Sequence, residues 1–265
     1  MAGFTDKQIS EVYKDILHTD NSNTGISSTL KTITCGDGDT TALHLSNRHV
    51  RVNPASDTTT TFIVRDADGN VLASVDSTND LVKLGIGQHT ANTQYAYFNI
   101  GQTESSGFSA NTHYGLSYQH ANYSSSITGI VSFGTGTDPA TSFTTADSNN
   151  ARGCDLVPLI WFVPDNITID GVTSFEGADA ATGDTTRMHL MSYTFNSGST
   201  SALASGTLLA HNSDVTNAGS EQVYKSTWTV DSADVDANKA ILAFFRSDSV
   251  NSDYSVNIIV KYHLR

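Results

Sequence analysis

The sequence predicts an all-β chain with a short N-terminal helix, a thin β-rich connecting segment and a C-terminal jelly-roll-like β-sandwich. Three observations carry this. Apolar residues alternate with polar ones in many short runs bounded by turn residues. The apolar fraction is 38% and Ser, Thr, Asn, Asp and Gly abound, the composition of strands with one wet face and polar turns. Helical spacing occurs once, at the start. With 265 residues there is room for one large β domain and an appendage. The organisation reads as helix and linker over 1–29, short strands over 30–93, and a sandwich over 94–265 with an insertion near 119–153.

Thr5 and Gln8 form a capping box, and Phe4 can pack on Ile9 as a hydrophobic staple. Ile9, Val12, Tyr13, Ile16 and Leu17 then recur as one apolar stripe for roughly three turns, until His18 to Asn23 supplies turn residues. So short an amphipathic helix is unstable alone in water, so its stripe must be covered, by this chain or by a partner. Phe4, Ile9, Val12, Tyr13, Ile16 and Leu17 are therefore candidate anchoring residues.

Short runs follow: Leu43–Leu45, Val50–Val52, Thr61–Val64, Val71–Val75 and Leu81–Leu84. Asp66-Ala67-Asp68-Gly69-Asn70 reads as a hairpin turn, with Gly69 supplying positive φ. Strands with so few large side chains make a thin sheet with a poor core, which association of copies would remedy. Heavier strands begin at Tyr95–Ile100 and His113–Tyr118. After the polar excursion of 119–153, which contains Ile130–Phe133, come Leu156–Val163, Met188–Phe195, Val223–Val230, Ala240–Arg246 and Val256–His263. Ala240 to Phe245 is apolar on both faces and so must be central or covered by a subunit. In the last run Val256, Ile258, Val260 and Tyr262 share one face. Loops of very unequal length favour a two-sheet jelly roll over a meander.

The helix with the following Asp20-Asn21-Ser22-Asn23-Thr24-Gly25-Ile26, and the block from Thr58 to Gly85, resemble virion structural proteins of tailed phages. These include fibre, head-decoration and tail-associated proteins, and the resemblance covers about the first third of the chain. It implies a thin, intertwined trimeric β segment joining an anchoring N-terminus to an outer knob; the C-terminal strands resemble a trimeric jelly-roll knob. The function implied is that of a non-enzymatic capsid decoration, cement or head-fibre protein. Such a protein would be a homotrimer docked on the major capsid protein or on neck or tail proteins, displayed on the particle surface after synthesis in the host cytoplasm. A tail-fibre or receptor-binding protein recognising a host surface glycan is the alternative, and a polysaccharide depolymerase the remote one.

Charge narrows the partners. Lys and Arg number 14 against 27 Asp and Glu, a net of -13, which repels phosphate backbones, so no nucleic-acid partner is expected. The start lacks a signal peptide and no stretch has the length of a membrane span. Cys35 and Cys154, distant in sequence, read as reduced thiols.

No cofactor, metal site or catalytic residue is assigned. Asp66, Asp68 and Asn70 resemble the opening of a calcium loop, but its closing Glu is missing. Asp37 and Asp39 read as turn residues. The scattered histidines contain no metal-ligand pair, and nucleophile-elbow, phosphate-loop and Ser-x-x-Lys motifs are absent. Asp165 with Asp170, or Glu176 with Asp179, are examples of acid pairs that a glycosidase could use at a defined separation, with turn and loop acids as the default reading. Trp161, Tyr123, Tyr193 and Trp228 are candidates for a glycan-stacking platform or, more simply, for core.

Overall fold

The computed structural model describes residues 16–19, 24–100, 109–119, 131–148, 151–179, 181–219, 221–249 and 253–265. The chain divides into two units, Met1–Ala91 and Asn92–Arg265.

The first unit holds two antiparallel four-stranded sheets. One has the order β1 (His18–Thr19), β2 (Lys31–Thr34), β3 (Thr40–Leu45) and β4 (Val50–Val52); the other runs β5 (Phe62–Arg65), β6 (Val71–Asp76), β7 (Leu81–Leu84) and β8 (His89–Thr90). The β5–β6 connection closes through Asp66, whose Oδ1 accepts the backbone N–H groups of Asp68 and Asn70 at 3.0 and 2.8 Å, while Gly69 sits at φ 88°. The Asn70 amide donates to the other carboxylate oxygen, and these bonds hold the Asp66 carboxyl below the usual range. A carboxylate spent on its own turn supports the hairpin reading over the calcium loop.

The second unit contains β9 (Thr93–Ile100), β10 (Tyr114–Gly115), β11 (Ser117–Tyr118), the helical turn α1 (Gly153–Leu156), β12 (Trp161–Val163), β13 (Ile167–Asp179), β14 (Thr185–Phe195) and β15 (Leu203–His211). It continues with β16 (Val215–Thr216), β17 (Gln222–Thr227), β18 (Thr229–Val230), β19 (Asp234–Val235), β20 (Lys239–Ser247) and β21 (Asp253–Leu264). A six-stranded sheet has the order β11-β9-β21-β13-β17 with β19 also on β13; a seven-stranded sheet has the order β10-β20-β14-β15-β18 with β12 on β20 and β16 on β14. Phe98, Val172, Val256, Ile258 and Val260 of the first share one buried cluster with Met188, Leu190, Leu209, Ile241 and Phe245 of the second.

Side chains alternate across a strand, so β14 and β20 present a second apolar row on the opposite face. Met191, Tyr193, Leu242 and Phe244 there are covered by Val131, Phe133, Phe143, Leu156 and Leu159. Phe133 lies with its ring centroid 4.7 Å from Phe143 and 4.6 Å from Phe244, and the Tyr193 hydroxyl donates to the Ala140 carbonyl at 2.9 Å. The segment 131–148, with Leu156 and Leu159, is thus a lid: the doubly apolar run Ala240–Phe245 lies inside its sheet and is capped by its own chain.

Three expectations are corrected. Of the N-terminal helix, residues 1–15 lie outside the described residues, but Ile16 and Leu17, assigned to its last turn, have no helical structure and lead directly into β1. The helical geometry found is mid-chain, in α1 and a 3-10 turn over Val157–Leu159. There it replaces most of the strand expected over Leu156–Val163, because Pro158 lacks the N–H a ladder needs. The closed jelly-roll-like sandwich is overturned as well: the sheets are extended and open. Three of their four edges, β10, β11 and β18, are two-residue strands, too short to close a ladder around central strands of 11 to 13 residues.

Gly206 lies where the lid crosses β15. A Cβ there would stand 2.8 Å from the Thr141 Cα and 2.7 Å from the Tyr193 ring, and its N–H donates to the Thr141 carbonyl at 2.7 Å. Backbone cannot yield as a side chain would. Gly206→Ala should therefore destabilise the second unit by roughly 1–3 kcal/mol, read as a lower urea midpoint; an unchanged midpoint would show that the lid is not seated here.

Candidate association surface

Few side chains in the first unit are covered. Among its described residues one apolar side chain, Ile33, is buried, with Thr34, Ser74 and Asp76 beside it in that class. The missing core is not a missing apolar surface.

Register shows where that surface lies. Phe62 opposes Val75, which opposes Val82, while Val64 opposes Ala73, which opposes Leu84. Directly opposed residues share a face, as do residues two apart. One face of the β5–β7 sheet is thus Phe62, Val64, Ala73, Val75, Val82 and Leu84, with no polar member. Phe62, Val82 and Leu84 nevertheless remain 46%, 46% and 49% exposed.

The other face is mixed, with Ile63 opposite Ser74 and Leu81 opposite Asp76, and its polar groups bond to one another. Ser74 Oγ donates to Gln88 Oε1 at 2.8 Å, Lys83 Nζ lies 3.6 Å from Asp76 Oδ2, and the Asn79 amide, first among several bonds, holds the Asp76 carboxyl low. An amphipathic sheet ordinarily turns its apolar side inward; this one leaves it open. The neighbouring sheet follows this only in part: Leu43 lies opposite Val52 and Leu45 opposite Val50, but Lys31 opposes Leu45 on the same face. Val50 is 71% exposed, while on the reverse face Thr32 Oγ1 meets His44 Nδ1 at 3.0 Å.

The anchoring residues proposed from sequence fall mostly elsewhere. Phe4, Ile9, Val12 and Tyr13 lie outside the described residues. Ile16 is half-buried and Leu17 is 64% exposed. The sequence shows thin sheets, but not that β5–β7 sets Phe62, Val64, Val82 and Leu84 on one open face, because that depends on register.

Chemistry-bearing groups are concentrated in the second unit and are mostly enclosed. Trp161, Trp228 and Tyr193 are buried, so they are core, with Trp228 Nε1 donating to Ser174 Oγ at 2.9 Å; Tyr123 lies outside the described residues. Glu176 and Asp179 are three apart on β13, an odd spacing that puts them on opposite faces. Glu176 is buried with Thr186 Oγ1 2.7 Å from each of its oxygens, and burial raises its pKa. Asp170 is engaged by His263 Nδ1 at 2.9 Å. Glu176 and Asp179, on opposite faces, therefore do not face a common groove. Among the described residues no group of three or more His, Cys, Asp or Glu could hold a metal ion, and Cys35 and Cys154 are free.

On the outer face of the seven-stranded sheet His113 and His189 are fully buried, their ring centroids 4.9 Å apart. Burial lowers the pKa of His113 to about 4 and that of His189 to about 3. Asp138 Oδ1 is 3.5 Å from His189 Nε2 and half-exposed; at that distance it makes no hydrogen bond, and both His189 ring nitrogens remain without one. Desolvation outweighs it. Compared with known proteins, the chain matches no protein-family model and no curated protein.

These histidines set an acid limit. Each is neutral when folded and takes a proton when unfolded as pH falls below 6.5, so their contribution is whole above pH 6.5 and is lost progressively towards pH 4, by about 1 kcal/mol per pH unit each. Glu176 has the opposite sign, because a raised folded pKa costs stability as pH rises above 4.5. His189→Gln should flatten the slope of unfolding free energy between pH 6.5 and 4 by about one proton's worth. Urea titrations at four pH values read this directly, and an unaltered slope would exclude His189 as the acid-sensitive group.

Proposed function

We propose that the protein is a self-associating structural component of a virus particle, a homotrimer whose first unit is completed by further copies of the chain. The observation that carries this is the open apolar face of β5–β7, in a unit whose described residues include one buried apolar side chain. A thin sheet gains little from folding alone, since its apolar area stays in water. Three such faces turned towards a common axis would supply each other with a core, and burial of the half-exposed side chains would drive assembly. The strip carries no charge, so copies of an acidic chain of net charge -13 can meet there without like charges opposed.

The virion assignment rests on the resemblance of the first third to tailed-phage structural proteins. On this reading the work is mechanical. The N-terminal region with Ile16 and Leu17 docks on the shell or on neck or tail proteins, and many weak anchor contacts on a lattice reinforce one another through effective concentration. The second unit, with its own two buried clusters, is the exposed knob.

Sedimentation of the full chain should give a trimer at micromolar concentration. Phe62→Asp or Leu84→Asp, each placing a charge on the strip, should weaken assembly by on the order of 2 kcal/mol per copy and yield smaller species with the second unit still folded. A well-folded wild-type monomer at that concentration would refute self-association. For the anchor, removal of residues 1–23 should leave a soluble oligomer that no longer joins particles, and normal incorporation of that truncation would refute docking through this region.

A further inference from the structure

β14 and β20 bring two arginines face to face. Arg187 and Arg246 are direct cross-strand partners, an arrangement that is destabilising for like charges unless something compensates. Their positions in the register put both on the same outer face as His189. Together with Asn111, Thr185, Asp214 and Asp248 they line a cavity of about 220 Å³.

The protein's own groups only partly satisfy them. A guanidinium has five N–H donors. Arg187 Nη1 lies 3.5 Å from Asp214 Oδ1, a long contact to a carboxylate whose side chain is 57% exposed. Arg187 Nε is buried and makes no hydrogen bond among the described residues. Arg246 Nη2 donates to Asn111 Oδ1 at 2.8 Å, which fixes the head group and leaves other donors for the cavity. Asp248 Oδ1 accepts the Thr185 N–H at 2.7 Å, which fixes this carboxylate at the rim of the cavity with its charge in place. The Thr185 hydroxyl is tied to Thr216 Oγ1 at 3.0 Å, so the walls are held by the fold. Burial is the main cause that keeps His113 and His189 neutral, and the charges of both arginines act in the same direction.

We propose that this cavity binds a small carboxylate, clamped between the guanidiniums of Arg187 and Arg246. Planar carboxylate matches the guanidinium fork, which can grip it with two parallel bonds. One negative charge suits the site better than two, because Asp214 and Asp248 at the rim oppose a dianion such as sulfate. The volume lies below that of pockets for drug-sized ligands and fits one compact group, such as a free organic acid or the acidic sugar at the end of a glycan. The site lies wholly within the second unit, so this inference stands independently of self-association.

Calorimetric titration of the full chain at constant ionic strength, with acetate, glucuronate, glucose and sulfate as probes, tests it. Acetate or glucuronate should bind with a Kd of ~1 mM and glucose should give no signal. Arg187→Gln and Arg246→Gln should each weaken carboxylate binding by about tenfold. Asp214→Asn, which removes a competing acid, should strengthen it by a few-fold; a merely structural role for the ion pair would not produce that gain. Glucuronate bound more tightly than acetate identifies a sugar acid as the ligand, and equal affinities identify the bare carboxylate; either supports the proposal. It is overturned by indifference between carboxylates and glucose, by tighter binding of sulfate than of either carboxylate, by undiminished affinity in folded arginine variants, or by loss of affinity in Asp214→Asn.

Discussion

A β-sheet has two faces, and each must meet water with polar groups or another surface with apolar ones. The two units answer this constraint differently. In the second, β20 is buried on both sides: Ile241, Ala243 and Phe245 belong to the cluster shared with the six-stranded sheet, and Leu242 and Phe244 lie beneath the lid. In the first, Phe62, Val64, Val82 and Leu84 share a face that is left open. Buried area is the dominant favourable term in folding, so the second unit has the means to be stable by itself. For the first unit, coverage of that face is the missing term.

Much of the second unit was legible as alternation, because alternation and burial are the same fact seen in sequence and in space. Val256, Ile258 and Val260 are buried on β21 as their spacing indicated. The longest strand, β13, was not legible. Its sequence, ITIDGVTSFEGAD, interrupts the pattern with Gly171 and Gly177, and its ladder with β21 shifts register between Ile169 and Gly171. Its inner face carries Ser174 and Glu176, which are tolerable there because Trp228 and Thr186 supply hydrogen bonds. The run Val223–Val230 looked like one strand, but it changes sheets at Trp228, with β17 on β13 and β18 on β15. The backbone N–H of Trp228 donates to the Val172 carbonyl at 3.0 Å, so the crossing is pinned on one side while the chain leaves for the other.

The N-terminal stripe illustrates a different limit. Capping and periodicity describe what a segment favours locally, and tertiary context overrides such preferences. Ile16 and Leu17 continue the helical stripe, yet the chain is not helical there and His18–Thr19 pairs with Ile33–Thr34. The Thr34 hydroxyl and His18 meet at 3.5 Å. A strand partner 14 or more positions later competes with the last helical turn, and nothing in a local window contains that partner.

The arginine pair was invisible for the same reason at longer range. Arg187 and Arg246 stand in separate runs of text, and only the β14–β20 register sets them opposite each other. Their neighbours in sequence, Met188 and Phe245, are core residues, so each arginine reads as an ordinary outward position on a half-buried strand. What distinguishes the position is competition for charge. The protein is acidic overall, and an isolated surface arginine would find a carboxylate at the cost of ordering two mobile side chains. Here the guanidiniums are ordered in advance, by Asn111 on one side and by burial of the Arg187 Nε on the other. Pre-ordering of donors is what lowers the cost of binding a ligand. Charge set on a rigid sheet within the second unit, and the uncharged strip of Phe62, Val64, Val82 and Leu84 in the first, are opposite uses of the same alternating backbone.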